Sequence, residues 1–239
     1  MTETLYRTDP YLKEAEARVT AITPEGGIVL DRTIFYPTGG GQPGDAGALN
    51  WGAREIAIAT TAKGEAGAVV LIPGEAAALP EPGETVLQSL DWDRRYRHMR
   101  VHTALHLLSV VIPLPVTGGA IATDKGRLDF DMPQSPEAKE ALEAALNDLV
   151  EADLAVTEDW ISEAALDSNP SLVKTMSVAP PRGQGPVRLI RIGSGETQVD
   201  LQPCGGTHVA RTGEIGRLRL GKIEKKGALN RRVYIHLDD

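Results

Sequence analysis

The stretch DWDRRYRHMRVHTALHLLSVV, residues 91–111, divides the chain. Its first ten residues are dense in charge, and the rest is apolar, with Leu105, Leu108 and Ile112 at helical spacing. Upstream of it the sequence reads as short strands over 14–21, 27–35, 54–60, 67–72 and 85–91. Glycine and proline clusters at 24–27, 37–47, 73–74 and 80–83 cut them apart. That spacing predicts a small barrel or curled sheet over 1–90. Downstream, Ser135 and Pro136 give a helix start, a capping residue followed by proline at the first helical position. Leu142, Leu146, Leu149 and Val150 carry a 3.6-residue period, so a helix is expected over 136–150. Alternating segments at 152–160, 187–192, 196–201, 218–223 and 232–237 follow, joined through a proline and glycine cluster at 179–186. The expectation is an α+β protein of two domains, 1–90 and 91–239, without internal repeats or low-complexity tracts.

Composition narrows the class. The chain has 239 residues with 41% hydrophobic content, enough for a buried core, and no run approaches the roughly 20 apolar residues of a membrane span. The N-terminal MTETLYR is polar and charged and has no signal-peptide core, so secretion and membrane insertion are not expected. One cysteine, Cys204, excludes an internal disulfide and suits a reducing cytoplasm. The net charge of −8 argues against indiscriminate coating of nucleic acid, yet it is unevenly spread. Residues 1–90 hold 6 Lys/Arg against 12 Asp/Glu, whereas 211–232 hold eight basic residues against Glu214 and Glu224.

Three of the five histidines, His98, His102 and His106, recur every four residues. On a helix that spacing stacks side chains on one face a turn apart. Cys204 and His208 are also four apart, across Gly205, Gly206 and Thr207, where glycine permits a tight path that brings both ligands round. Each half alone also reads as an ordinary solvated helix or an incidental turn. Together, the single cysteine falls in one half of a two-part ligand pattern, and we expect His102, His106, Cys204 and His208 to form a metal site. Imidazole nitrogens with one soft thiolate favour zinc over magnesium or calcium. Four protein ligands would close a structural tetrahedron, while a hydrolytic ion usually keeps one position open, and spacing does not choose between them. A metalloprotease reading fails at Thr103, where HExxH needs its glutamate.

The run Thr38 to Asp45, TGGGQPGD, satisfies GxGxxG formally. It opens no helix, and no Lys-Ser/Thr pair follows, so it is neither a dinucleotide nor a P-loop signature. It reads as a hairpin turn or, more sharply, as a polar wall in which backbone N–H groups and the Thr38 and Gln42 side chains face a small ligand. A hydroxyl at Thr38 would separate a ligand bearing a hydroxyl from one bearing a methyl, because an unmatched buried polar group costs about 1–3 kcal/mol.

FYPTGGGQPGDAG (35–47), RHMRVHTALHLLS (97–109) and PCGGTHVARTGEIG (203–216) together resemble one family: the editing domains of alanyl-tRNA synthetase and their free-standing AlaX-type relatives, in particular the medium-length form. The resemblance implies an N-terminal barrel-like domain carrying the glycine motif (1–90). After it comes a zinc-containing editing domain of the threonyl/alanyl-tRNA synthetase second additional type (91–239). It implies hydrolysis of the ester joining a wrong amino acid, serine above all with glycine as a further candidate, to alanine tRNA. His102, His106, Cys204 and His208 carry over as the zinc and catalytic site. Thr38, Gly40 and Gln42 match the motif implicated in serine selection. Asp124 stands where synthetase relatives often read glutamine before Lys125 and Gly126, a departure bearing on how substrate or water is held. His98, a turn before His102, is read as a group near substrate rather than a ligand. All 239 residues are consumed by the editing fold, so the chain is expected to deacylate mischarged tRNA(Ala) in trans without ATP. For the tRNA phosphates the candidates are Arg94, Arg95, Arg97 and Arg100, and Lys222, Lys225, Lys226, Arg231 and Arg232. The alternatives are a noncatalytic zinc-stabilised tRNA binder and a deacylase for another aminoacyl-tRNA; oligomeric state is left open.

Overall fold

The computed structural model describes residues 1–75, 78–134, 138–175, 183 and 185–238. The chain is α+β and divides into two compact units, Met1–His98 and Met99–Asp239. None of the described helices is long and apolar enough to cross a membrane.

In the first unit β1 (Glu3–Thr4) and α1 (Leu5–Thr8) precede β2 (Glu14–Ile22), β3 (Ile28–Leu30), β4 (Arg32–Thr33), β5 (Gly47–Trp51), β6 (Arg54–Lys63), β7 (Val69–Pro73) and β8 (Thr85–Leu90). Strands β2-β3-β7-β6-β5-β8 close into a barrel, which leaves none of the six with an open edge. Alternation decides the interior. Val19, Ile28, Leu30, Leu49, Ile56, Ile58, Leu71 and Val86 point inward and are buried. The expected strand over 27–35 is interrupted, because Asp31 accepts from the N–H groups of Arg18 (2.8 Å) and Arg32 (2.9 Å) and breaks the ladder there.

Helix α2 (Trp92–Val111) begins at Asp91, whose carboxylate accepts from Arg94 N–H at 3.2 Å. The division between the two compact units falls inside α2. The reason is visible in the first turns: Trp92 stacks on Tyr96 and Arg95 enters the barrel unit's interior. From Val101 to Ser109 every residue is buried, so this part of α2 is surrounded rather than amphipathic.

In the second unit β9 (Val116–Ile121), β10 (Lys125–Asp131), β14 (Leu218–Lys225) and β15 (Asn230–Leu237) form a sheet ordered β14-β15-β10-β9. A second sheet, β11-β12-β13, is built from β11 (Val156–Ile161), β12 (Val187–Ile192) and β13 (Asp200–Pro203). The expected helix appears as α3 (Lys139–Glu151), with α4 (Glu163–Asp167) capped by the Ser162 side chain. The start assigned to Ser135 and Pro136, and most of the linker 179–186, lie outside the described residues. Helix α3 covers the edge of β14: the Asn147 amide donates to Leu218 C=O and accepts from Leu218 N–H, both at 2.9 Å. Gly126 lets β10 approach α2, because a Cβ there would lie 2.7 Å from Val101 Cγ1 and 3.1 Å from the Leu105 methyls.

Candidate metal centre

Two elements supply the site. Helix α2 sets His102 and His106 one turn apart, ring centroids 5.5 Å from each other. Strand β13 ends at Pro203 and delivers the turn Cys204–His208. Cys204 Sγ lies 3.4 Å from His102 Nε2 and 3.2 Å from His208 Nε2, and one donor atom from each of the four residues lies within 4.8 Å of the others. Tetrahedral zinc with Zn–N of about 2.0–2.1 Å and Zn–S of about 2.3 Å needs donor–donor separations of about 3.5 Å. The donor set therefore fits a tetrahedral ion in chemistry, and the two Cys204–imidazole separations match its spacing.

Each ligand is held from behind. Thr103 Oγ1 donates to Met99 C=O at 3.0 Å and accepts from Val209 N–H at 3.3 Å; His208 Nδ1 stands 3.1 Å from the same oxygen. With its one proton used, the hydroxyl can only accept from His208, which puts the hydrogen on Nδ1 and leaves Nε2 facing the thiol. His106 Nδ1–H donates to Asp200 Oδ2 at 2.8 Å, and Lys174 Nζ donates to Asp200 Oδ1 at 2.6 Å. The Gln202 amide donates to Asp200 Oδ2 at 2.8 Å. The turn itself is pinned by Arg188, whose Nη1 donates to Cys204 C=O (3.0 Å) and Gly206 C=O (2.8 Å) while Nη2 pairs with Glu158.

These contacts set charge. Burial opposes ionisation of Cys204, but the imidazoles around it, His102 foremost, outweigh it and hold the thiol well below its usual range. Burial and the neighbouring His102 keep His208 well below the ordinary histidine value, hence neutral. Burial pulls His106 down as well, yet its bonds to Asp200 and Cys204 prevail and bring it to about 9. Asp200 is raised by burial and lowered more by His106 and Lys174, to about 2.

The residues expected at substrate and tRNA meet different fates. In the glycine turn, N–H groups of Thr38, Gly39, Gln42 and Gly44 are taken by Thr61 C=O, Gln42 C=O, Gly39 C=O and Thr38 Oγ1 respectively. The turn is therefore closed on itself more than the expected wall of free N–H groups, and Gln42 is buried. Gly40 and Gly41 hold φ of 59° and 84°, a left-handed path that glycine accepts freely. Gly44 is required, since a Cβ there would meet Thr61 C=O at 2.1 Å. Asp124 is exposed in the β9–β10 hairpin, and His98 is buried on α2. Arg95 leaves the set of phosphate contacts: its side chain is fully buried, bound to Asp45, Ile34 C=O (2.6 Å) and Pro10 C=O (3.0 Å). Arg100 ties to Ile215 C=O at 2.9 and 2.8 Å. Lys222, Lys225 and Lys226 are exposed; Arg94, Arg231 and Arg232 are half-buried. Asp200, Gln202, Lys174 and Arg188 carry no motif that sequence reading would single out. Only the alternation of Asp200, Gln202 and Cys204 along one strand hints that the first two share the cysteine's face.

Residues 187–234 match the family described as Threonyl and Alanyl tRNA synthetase second additional domain, and 9–94 match tRNA synthetases class II (A). The alanyl-tRNA editing protein AlaX-M of Methanosarcina acetivorans is 36% identical over the full length of both chains. This chain belongs to the alanyl-tRNA editing protein family. The AlaX-M of Saccharolobus solfataricus is 35% identical over 98% of each chain. The alanine–tRNA ligase of Pyrococcus abyssi is 34% identical over 94% of this chain but only 24% of its own length. Family membership and a four-residue cluster able to hold a metal ion thus meet in one molecule, in which α2 and the turn after β13 share the ligands equally.

Proposed function

We propose that the chain is a trans-acting deacylase that hydrolyses the ester of mischarged tRNA(Ala), seryl ahead of glycyl, with zinc held by His102, His106, Cys204 and His208. One observation carries this reading: the only cysteine and three of the five histidines converge within 4.8 Å in a chain alike over its whole length to editing proteins. Zinc would supply Lewis acidity beside the ester. The chain's own part is positional, since an aminoacyl ester is already reactive and gains most from orientation and charge placement. Asp200 and Thr103 turn His106 and His208 so that their Nε2 atoms face the thiolate, and Arg188 keeps the Cys204 turn from relaxing. Thr38, Gly40 and Gln42 are our candidates for serine selection. The Thr38 hydroxyl donates to Thr61 C=O (3.2 Å) and accepts from Gly44 N–H, leaving one lone pair that suits a hydroxyl donor and gives a methyl nothing. His98 and Asp124 are kept as candidate substrate groups, and Arg94, Lys222, Lys225, Lys226, Arg231 and Arg232 as candidate phosphate contacts. A cytoplasmic setting would keep the thiol reduced.

The test is deacylation of seryl-, glycyl- and alanyl-tRNA(Ala) by the purified chain, with and without chelator. The expected order is seryl, then glycyl, with alanyl spared. Cys204→Ala should lower the seryl rate at least a hundredfold while circular dichroism stays native. Full activity after metal removal rejects the reading, and a chain that binds tRNA yet hydrolyses no ester points to a noncatalytic binder.

A further inference from the structure

Strand register ties an exposed tryptophan to the metal-bearing turn. Trp160 on β11 pairs with Arg188 on β12, Leu189 pairs with Pro203, and Cys204 N–H donates to Arg188 C=O at 3.2 Å. Trp160, Arg188 and Cys204 therefore form one row across three strands. Opposed residues of antiparallel strands project to the same face. Alternation fixes which face it is: Ile190 and Ile192 share it with Arg188, and they pair with Gln202 and Asp200, the residues that reach back to His106. Trp160 thus lies on the face that carries the metal centre. With strands about 4.8 Å apart, its Cα stands ~10 Å from that of Cys204, a separation comparable with the span of a nucleoside.

Its exposure sets it apart from the other two tryptophans. Trp160 is 48% exposed, whereas Trp51 is buried and Trp92 is stacked on Tyr96. It sits on an edge strand, where the usual pressure is to present charge rather than a large apolar ring. Between it and the turn, Arg188 is buried and committed to Glu158 and to the Cys204 and Gly206 carbonyls, so the backbone of the row is pinned on the Cys204 side.

We propose that Trp160 is a substrate-binding residue: the platform on which the purine base of the tRNA's terminal adenosine stacks while the ester it carries is presented at the metal centre. The proposal rests on the deacylase reading and adds a residue to it that lies in none of the three motifs. Base–aromatic stacking suits the position, because it needs an exposed π-face and no hydrogen-bond partner.

The experiment compares wild type, Trp160→Ala and Trp160→Phe with their metal bound. It reads kcat and KM for seryl-tRNA(Ala), binding of the hydrolysis-resistant 3′-serylamino-3′-deoxyadenosine, metal content, Tm and sedimentation. Trp160→Ala should raise KM and the analogue's Kd about tenfold, with kcat within about twofold and metal content unchanged. Tm should also hold, because the exposed indole adds little to the core. Trp160→Phe, which keeps a ring, should recover to within about threefold. Unchanged KM and Kd in Trp160→Ala overturn the proposal while leaving the deacylase reading intact, and so does a Trp160-dependent dimer with unchanged KM. A wild type inert on every aminoacyl-tRNA overturns both.

Discussion

His106 faces two anions at once, the Asp200 carboxylate through Nδ1 and the Cys204 thiolate on the metal side, and this is why it holds a proton up to about 9. A metal ion bound through His106 would have to displace that proton. The sign follows directly: the imidazolium stabilises the metal-free fold fully below the ordinary histidine range, near 6.5, and that contribution fades as pH rises through about 9. Metal binding runs the opposite way. Apparent zinc affinity, measured by chelator competition, should strengthen about tenfold per pH unit between about 7 and 9 and level off above. Calorimetry in buffers of different ionisation heat should show release of at least one proton at about pH 7.5. An affinity independent of pH would mean that His106 is not a ligand. The four residues of the His/Cys cluster are legible in the sequence, because helical spacing and a single cysteine mark them. Asp200, Thr103 and Lys174 are not, since a hydrogen bond between residues remote in sequence leaves no local pattern.

At the level of elements, the barrel unit is organised around a buried charge pair. Asp45 accepts from Tyr36 N–H (2.6 Å) and from Arg95 Nε (3.1 and 3.0 Å to its two oxygens), tying the exit of the glycine turn to the first turns of α2. Removing one partner leaves the other buried and uncompensated, which costs more than the pair contributes. Asp45→Ala should therefore destabilise the first unit by about 3–5 kcal/mol in a urea melt; a loss under about 1 kcal/mol would show that water enters and rescues Arg95. From sequence Asp45 belongs to a turn and Arg95 to a phosphate-binding surface, and each assignment is natural for an isolated charged residue. Strands β2, β6, β7 and β8 show in their alternation, and α3 in its period. Strands β9 and β10 do not, because Gly118, Gly119 and Gly126 depress β propensity and the sheet forms there through pairing with β15. The glycines are tolerated because neighbours crowd them: a Cβ on Gly119 would approach Leu128 Cδ2 to 3.1 Å.

Across the whole chain the formal charge is −8, so a tRNA partner must find a local cationic area. The sheet β14-β15-β10-β9 is our candidate for it, and it has a particular build. Glu224 is flanked by Lys222 and Lys226, and Asp129 by Arg127 and Arg232, so each carboxylate organises two cations and the local sum stays positive. Charge reversal by Lys225→Glu together with Lys226→Glu should weaken tRNA binding. It should also lower the slope of log K against log salt by about one unit for each phosphate left without its cation, in filter binding between about 50 and 200 mM salt. An unchanged slope would remove both lysines from the footprint. What the sequence by itself determined was the α+β class, the barrel-like first part and the four residues of the His/Cys cluster. Those signals are local or compositional: strand alternation, helical period, glycine and proline punctuation, and the rarity of Cys and His. Only the tertiary structure decided which charged residues are buried, which imidazole nitrogen faces the cysteine sulfur, and which aromatic ring shares the His/Cys cluster's face of a sheet. Those properties depend on residues that are remote along the chain and meet only in the fold, and burial reverses what a charged or apolar side chain would do in water.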